Sequence, residues 1–316
     1  MFKSRLFALA ISLLCVAACT RNDEDQRIVL GFSQIGAESA WRLANTESIK
    51  SAAATSNIDL RFDDADQQQE NQIRAIRRFI ADQVDVIAFA PVVATGWEPV
   101  LKEAQAAGIP VILTDRAVTA DSSLYAGFLG SDFVEEGRKA ARWVVANARQ
   151  APPIHIVQLE GTPGSAPAND RKKGFEEIIA QHPDFRIIRS APADFERARG
   201  ESVMTQILDS KPGRIHVLYA HNDDMALGAI RAIEAAGLKP GKDVLIISID
   251  AVRAAFEAMI AGKLNATVEC NPLMGPQLMT SVTEVVSGRT IAKRIVVDEA
   301  VFTQDNARQV IQTRKY

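Results

Sequence analysis

The chain has 316 residues, 47% of them hydrophobic and 24% charged, with a formal net charge of −3. That length supports about two domains, each with its own core, and the small net charge gives no electrostatic reason to bind nucleic acid. Three cysteines, Cys15, Cys19 and Cys270, are too few for a disulfide framework.

Lys3 and Arg5 precede an apolar run over residues 6–18 that ends in Val16-Ala17-Ala18-Cys19. A basic start followed by a run too short for an ordinary membrane span reads as a secretory signal. The small residues before Cys19 resemble a bacterial lipobox, which implies a signal peptide over 1–18 and lipidation of the Cys19 sulfur; ordinary cleavage nearby is the alternative. Residues 19–27 then form a polar tether to an exported body, and Cys270 is left as a single thiol, more in keeping with a small buried hydrophobe than with a nucleophile.

From residue 28 short β-rich runs alternate with segments of helical period, the pattern of βαβ units in a parallel sheet. Strands are expected at 28–34, 59–65, 84–92 and 110–116, joined by helices at 41–56, 67–83 and 97–107. In the second of these helices Ile73, Ile76, Phe79 and Ile80 share one face, the stripe of a helix lying on a sheet. After "SLYAGFLGSD" a second series follows, with strands at 154–161, 185–191, 215–222 and 244–251 and helices at 170–182, 196–209 and 223–236. The remainder, "NATVECN" (265–271), a helical 273–287 and "RIVVDEAVF" (294–302), is too small for a third domain and completes the two lobes. The fold class is α/β, two Rossmann-like parallel-sheet lobes whose chain crosses between them more than once, so that a hinge is mechanically natural.

Ligands of open parallel sheets bind beyond the carboxyl ends of the strands. Those ends carry Ser33-Gln34, Asp115-Arg116, Glu160, His221-Asn222 and Asp250, a set rich in side chains that make paired hydrogen bonds to neighbouring hydroxyls. A polyol or sugar suits it. Other readings stay open: Asp115-Arg116 as an exposed ion pair, Asp250 as a turn cap, Asp223 or Asp224 as the cap of the helix that follows, and Arg171 as a solvated helical residue. Trp41, just after the first strand, is either core or an apolar plane for a sugar ring; Trp97 is a weaker candidate and Trp143 reads as packing. His155, His182, His216 and His221 lack metal-ligand spacing, and no GxSxG, GxxxxGK[ST] or GxGxxG pattern occurs. No catalytic residue, cofactor or metal is expected.

The segments "GFSQIGAESAWR", "QQQENQIRAIRRFIADQVDVI", "APVVATGWEPVLKEA", "NDRKKGF", "YAHNDDMALGAI" and "AAGLKPGKD" resemble the ribose-binding class of periplasmic sugar-binding proteins that serve ABC importers, above all its galactofuranose binders. The resemblance runs from residue 28 to the end and implies the type I periplasmic binding protein fold, with one lobe at 28–130 plus about 270–297 and the other at 131–269 plus about 298–316. Its sites fall on Ser39, Trp41, Arg42, Asp115, Arg116, Arg171, Asn222 and Asp250, with Glu269 beside Cys270 where ribose binders have a ligand-facing Gln. Ser131-Asp132-Phe133 departs from the family's usual segment at the lobe crossover. The implied protein is a monomer that delivers a monosaccharide, galactofuranose first among candidates, to a membrane permease. A sensory module for a kinase or chemoreceptor is the rival reading. A sugar hydrolase using Asp115 and Asp250 is a weaker one, and a repressor is disfavoured because a signal peptide stands where a DNA-binding motif would be.

Overall fold

The computed structural model describes residues 27–211, 213–297 and 299–316. The expected signal peptide, Cys19 and all of the tether but Arg27 lie outside them. Among the described residues no helix is long and apolar enough to cross a membrane.

Two six-stranded sheets organise the chain. The first is built from β1 (Val29–Gln34), β2 (Asp59–Asp64), β3 (Val86–Phe89), β4 (Val111–Thr114) and β5 (Gly127–Gly130), with β11 (Arg294–Val296) at its edge, in the order β11-β5-β4-β3-β1-β2. Every pairing in it is parallel. Helices α1 (Ala40–Thr55), α2 (Gln69–Ala81) and α3 (Glu98–Ala106) connect these strands. Ala75, Ile76 and Phe79 of α2 and Val100 and Leu101 of α3 are buried in one apolar cluster with Ile87, Phe89 and Leu113 of the sheet, as the apolar stripe of 67–83 requires.

The second sheet runs β12-β10-β9-β8-β6-β7, from β6 (Ile154–Glu160), β7 (Phe185–Pro192), β8 (Val217–Ala220), β9 (Leu245–Asp250), β10 (Ala266–Glu269) and β12 (Val301–Thr303). It is parallel except for β12, which runs antiparallel to β10. Its helices are α4 (Phe133–Asn147), α5 (Ala166–Ile179), α6 (Arg197–Asp209), α7 (Asp223–Ala235) and α8 (Arg253–Ile260). The chain passes between the sheets three times: between β5 and α4, between β10 and α9 (Gly275–Val286), and between β11 and β12. Helix α9 lies on α1, where the Gly275 N–H donates to Ser48 Oγ at 3.0 Å, while α10 (Gln304–Val310) packs on α8.

Three differences from the sequence reading have local causes. Strand β5 lies within "SLYAGFLGSD", which shows no alternation because a glycine stands at each end; a Cβ on Gly127 would meet the Ala292 carbonyl at 2.8 Å. Helix α5 begins at Ala166 rather than near 170. Ser165 is its cap, its Oγ accepting from the Ala168 N–H at 3.4 Å, and Pro167 sits in the first turn, where its missing N–H costs nothing. The run 294–302 divides into β11 and β12 on different sheets.

Helices α4 and α5 touch through reciprocal glycines. A Cβ on Gly174 would overlap the Val134 carbonyl, and one on Gly137 the Arg171 carbonyl. Helices α6 and α7 repeat the device, with Gly228 against the Arg197 carbonyl and Gly200 against Met225. The substitution Gly174→Ala forces the first pair apart and is expected to destabilise the fold by about 1–3 kcal/mol, read as a lower urea midpoint with unchanged slope. A midpoint equal to wild type would show that the contact is not tight.

Candidate ligand-binding site

A small cavity lies at the carboxyl ends of both sheets, with an empty volume of about 290 Å³ when the solvent at its mouth is included. It is lined by Glu38, Ser39, Trp41 and Arg42 from the β1–α1 corner, by Asp115 and Arg116 after β4, and by Phe133 at the start of α4. From the second sheet come Pro167 and Arg171 of α5, Phe195 after β7, Asn222 before α7, Asp250 at the end of β9 and Cys270 after β10. Of the residues expected at the site, Ser39, Trp41, Arg42, Asp115, Arg116, Arg171, Asn222 and Asp250 are brought together here.

On the first sheet's side, charge is arranged around Arg42. Its Nη2 lies 2.6 Å from Asp115 Oδ2, its Nε 3.2 Å from Glu38 Oε1, and its Nη1 donates to Gln34 Oε1 at 3.3 Å. Burial works against the Arg42 charge, but Asp115 and Glu38 outweigh it and hold this guanidinium above its ordinary value. Arg116 is less well matched. Its Nη1 donates to the Val92 carbonyl at 3.0 Å, while Asp115 and Glu38 lie at 3.7 and 3.9 Å. Burial and the neighbouring Arg42 push Arg116 down to about 10, against the pull of Asp115 and Glu38. Arg116 Nε and Glu38 Oε2 are buried without a hydrogen-bond partner among the described residues. The ion pair at the end of β4 is therefore buried, not exposed.

On the second side Arg171 is the fixed point. Its Nε donates to Glu136 Oε2 at 2.7 Å and its Nη1 to the His221 carbonyl at 2.6 Å, and its Nη2 lies 3.6 Å from Asp250 Oδ1. The guanidinium also lies over Phe133 and Phe195, 5.1 and 5.9 Å from the ring centroids. Among the described residues no hydrogen bond reaches the Asp250 carboxylate. Burial raises Asp250 well above the usual carboxylate range, a shift that Arg171 only partly offsets.

Several assignments change with the geometry. Asn222, not Asp223 or Asp224, caps α7: its Oδ1 accepts from the Met225 N–H and its Nδ2 donates to the Phe195 carbonyl, each at 3.0 Å. One amide proton remains for a ligand. Asp223 instead braces the sheet, accepting from Ser248 Oγ, Thr267 Oγ1 and the Val252 N–H. Glu269 is not at the cavity. It is the last residue of β10, and successive strand residues face opposite ways, so Cys270 lines the cavity while Glu269 meets Arg314 Nη1 at 2.8 Å. Trp41 lines the cavity with its Nε1 tied to the Cys270 carbonyl at 2.7 Å. Trp97 is buried against Phe89 away from the site, and Trp143 packs on the core. His221 is buried with Nε2 at 2.9 Å from Gln158 Nε2, and burial with nearby Arg171 keeps the ring neutral.

Sequence reasoning missed Glu38, Phe133, Pro167 and Phe195. The "SDF" segment at the crossover carried a signal for one of them: Asp132 caps α4 through the Glu135 N–H at 3.1 Å, which sends Phe133 into the cavity. Phe195 has φ +65°, a conformation uncommon for a bulky residue, and its ring occupies the space that a Cβ on Gly161 would fill.

Behind Arg171, Glu136, Cys270 and Glu299 bring one potential ligand atom each within 4.8 Å of one another. The guanidinium on Glu136 opposes a cation there. A proton answers the geometry better, since Glu136 Oε1 has no other partner and Ser131 Oγ already donates to Glu299 Oε1 at 2.5 Å. Burial and the adjacent Glu136 push Glu299 up to about 10. A carboxyl that holds its proton more tightly when folded favours folding at low pH. That contribution is complete below the ordinary value of 4.5 and is lost as pH rises towards about 10. Glu299→Gln has no proton to lose, so its melting temperature should decline less than wild type's between pH 6 and 10; parallel curves would rule out the shared proton.

The model of the periplasmic binding protein domain matches residues 30–290. The galactofuranose-binding protein YtfQ of Escherichia coli is 43% identical over 292 residues, covering 91% of this chain and 92% of that protein. A Mycobacterium smegmatis protein solved in complex with β-D-fucofuranose superposes with a TM-score of 0.89 at 52% identity, covering 92% of this chain and 95% of its own. The periplasmic binding component of an arabinose ABC transporter from Shewanella sp. ANA-3, bound to α- and β-L-arabinofuranose, superposes with a TM-score of 0.87 at 45% identity, covering 91% and 95%.

Proposed function

The chain belongs to the periplasmic binding protein family, and within it we propose a receptor that binds an aldose in its furanose ring form and hands it unchanged to the permease of an ABC importer. It is a substrate-binding protein outside the cytoplasm and not an enzyme. The observation that carries the ligand class is the unmet hydrogen-bonding capacity of the cavity's lining: among the described residues Arg116 Nε and Glu38 Oε2 are buried without a hydrogen-bond partner, and the Asp250 carboxyl accepts no hydrogen bond and meets Arg171 only at 3.6 Å. Buried polar groups left unpaired are costly. A ring of hydroxyls, each both donor and acceptor, answers two acceptors and one donor together.

The remaining lining suits the rest of a sugar. Trp41, Phe133, Phe195 and Pro167 offer apolar surface to C–H groups, and Asn222 has an amide proton free. Ser39, Arg42, Asp115 and Arg171 complete the polar wall in this reading. The small cavity favours a single ring, and the furanoses bound by the relatives make galactofuranose the first ligand to test, with fucofuranose and arabinofuranose beside it. The lobes, 28–130 with about 270–297 and 131–269 with about 298–316, would close on the ligand about the three crossovers. The protein acts as a monomer held to the membrane by an acylated Cys19.

Calorimetry of residues 20–316 with furanose and pyranose sugars tests the reading. Saturable binding of an aldose is expected, with a rise in melting temperature that grows with the logarithm of sugar concentration; no response to any aldose or ketose would refute it. Asp250→Ala should weaken binding about tenfold to a hundredfold, the loss of one hydrogen bond to a charged group. Its free protein should stay within about 1 kcal/mol of wild type, because the carboxyl removed accepts no hydrogen bond among the described residues and meets Arg171 only at 3.6 Å. Asn222→Ala should weaken binding and also lower the melting temperature, since the α7 cap goes with it.

A further inference from the structure

Asp224 lies at the seam between the two halves of the molecule and outside the cavity lining. It is the second residue of α7, on the second sheet's side, and is 5% exposed. Its Oδ1 is held by Arg197, with Nε at 2.8 Å and Nη2 at 2.7 Å. Its Oδ2 accepts from the backbone N–H of Ala40 at 2.8 Å. Ala40 opens α1 on the first sheet's side, 184 residues away in sequence.

The N-terminus of α1 needs such a partner. Its first turn contains no acidic residue, and Ser39 Oγ satisfies only the Arg42 N–H. The first N–H groups of a helix have no partner within it, and the dipole there favours an anion. Asp224 supplies both the acceptor and the charge from the other half of the molecule. Its aim is fixed in advance, because the Arg197 backbone sits against Gly228 of its own helix α7. Two further bonds cross the same seam, Gln67 Nε2 to Glu196 Oε1 at 3.2 Å and the Ala94 N–H to the Gly164 carbonyl at 3.0 Å. Of the three, the Asp224 contact is the one in which a carboxylate already paired with an arginine meets a helix N-terminus.

We infer that Asp224 is a positioning residue for ligand retention: it caps α1 from the opposite lobe and so holds the lobes together over a bound sugar that it does not touch. The inference rests on the receptor reading above. When the lobes part, Asp224 keeps Arg197 and loses Ala40, so the bond favours the closed state alone. A contact made only in the closed state raises affinity through the closed fraction and acts chiefly on release.

Two variants remove the bond from opposite sides. Asp224→Ala takes away the acceptor, the charge and the Arg197 fork together. Ala40→Pro deletes the N–H at a helical first position that tolerates proline, after a Ser39 already extended at φ −145° and ψ 161°, as a residue before proline should be. Stopped-flow release of L-arabinose or D-galactose should quicken about tenfold in each, with association nearly unchanged, and the double variant should be no faster than the quicker single one. Pulsed electron-resonance distances between spin labels on the two lobes, measured without sugar, should show a smaller short-distance population in both. Additive effects, or release and distances equal to wild type, would overturn the latch. A wild type that binds neither sugar would count against the receptor reading instead, and the sugar-free distances would still decide on the latch.

Discussion

The Arg171 guanidinium is 3% exposed, and a guanidinium keeps its charge at any ordinary pH, so the protein must solvate it as water would. Much of the second lobe's architecture follows from that requirement. Glu136 has to stand close, which sets α4 against α5 at glycine contact. The His221 carbonyl has to turn inward, which fixes the corner after β8. Phe133 and Phe195 present ring faces to the same cation, and both also line the cavity. What remains of the charge faces Asp250 at 3.6 Å, too far for a hydrogen bond and close enough to keep the carboxylate oriented.

The same requirement reaches the crossovers. With Glu136 Oε2 committed to Arg171, its other oxygen has no donor among the described residues, and Glu299 from the third crossover carries the proton that can serve it. Ser131 from the first crossover donates to Glu299 and lies 3.4 Å from the Cys270 thiol of the second. The three passages between the sheets therefore share one small polar cluster. Cys270 belongs to that cluster as a neutral thiol, since burial together with Glu136 and Glu299 raises it well above its ordinary value, and it serves there by fit and not by reactivity.

Alternation of apolar runs with helical period made the α/β class legible, because each element's buried face writes its own spacing. Asp115, Arg116, Asn222 and Asp250 were legible for a related reason: strands that end together put the residues following them together. Glu38 and Phe195 were not, since each is aimed by a loop whose course depends on contacts distant in sequence, whereas Phe133 is aimed by the Asp132 cap beside it. Glu269 shows how narrow the margin is. It adjoins the cavity residue Cys270, yet one step along a pleated strand carries a side chain to the other face, where Arg314 holds it. The distribution of roles in "HNDD" was also hidden, because an Asn and an Asp make equally good caps and only the surroundings decide. Here Asp223 is drawn to Ser248 and Thr267 and Asp224 to Arg197, which leaves the cap to Asn222.

Selectivity and response to ligand have a common origin in the cavity. In the proposed receptor the groups left for a sugar are Arg116 Nε, Glu38 Oε2 and the Asp250 carboxyl, which have no hydrogen-bond partner among the described residues, so closing the lobes on an empty cavity carries the cost of leaving them unpaired. With a matching sugar that cost is offset group by group, and an analogue lacking one hydroxyl leaves one group uncompensated. Rim contacts such as Asp224 with Ala40 add the same stabilisation whatever fills the cavity, so they can deepen closure without altering which sugar is chosen. If rim contacts were strong enough to close the empty protein, the permease would meet closed receptors carrying nothing. A few bonds at the seam, set against strongly penalised groups within, keep the closed state a minority without ligand and make it the majority with it.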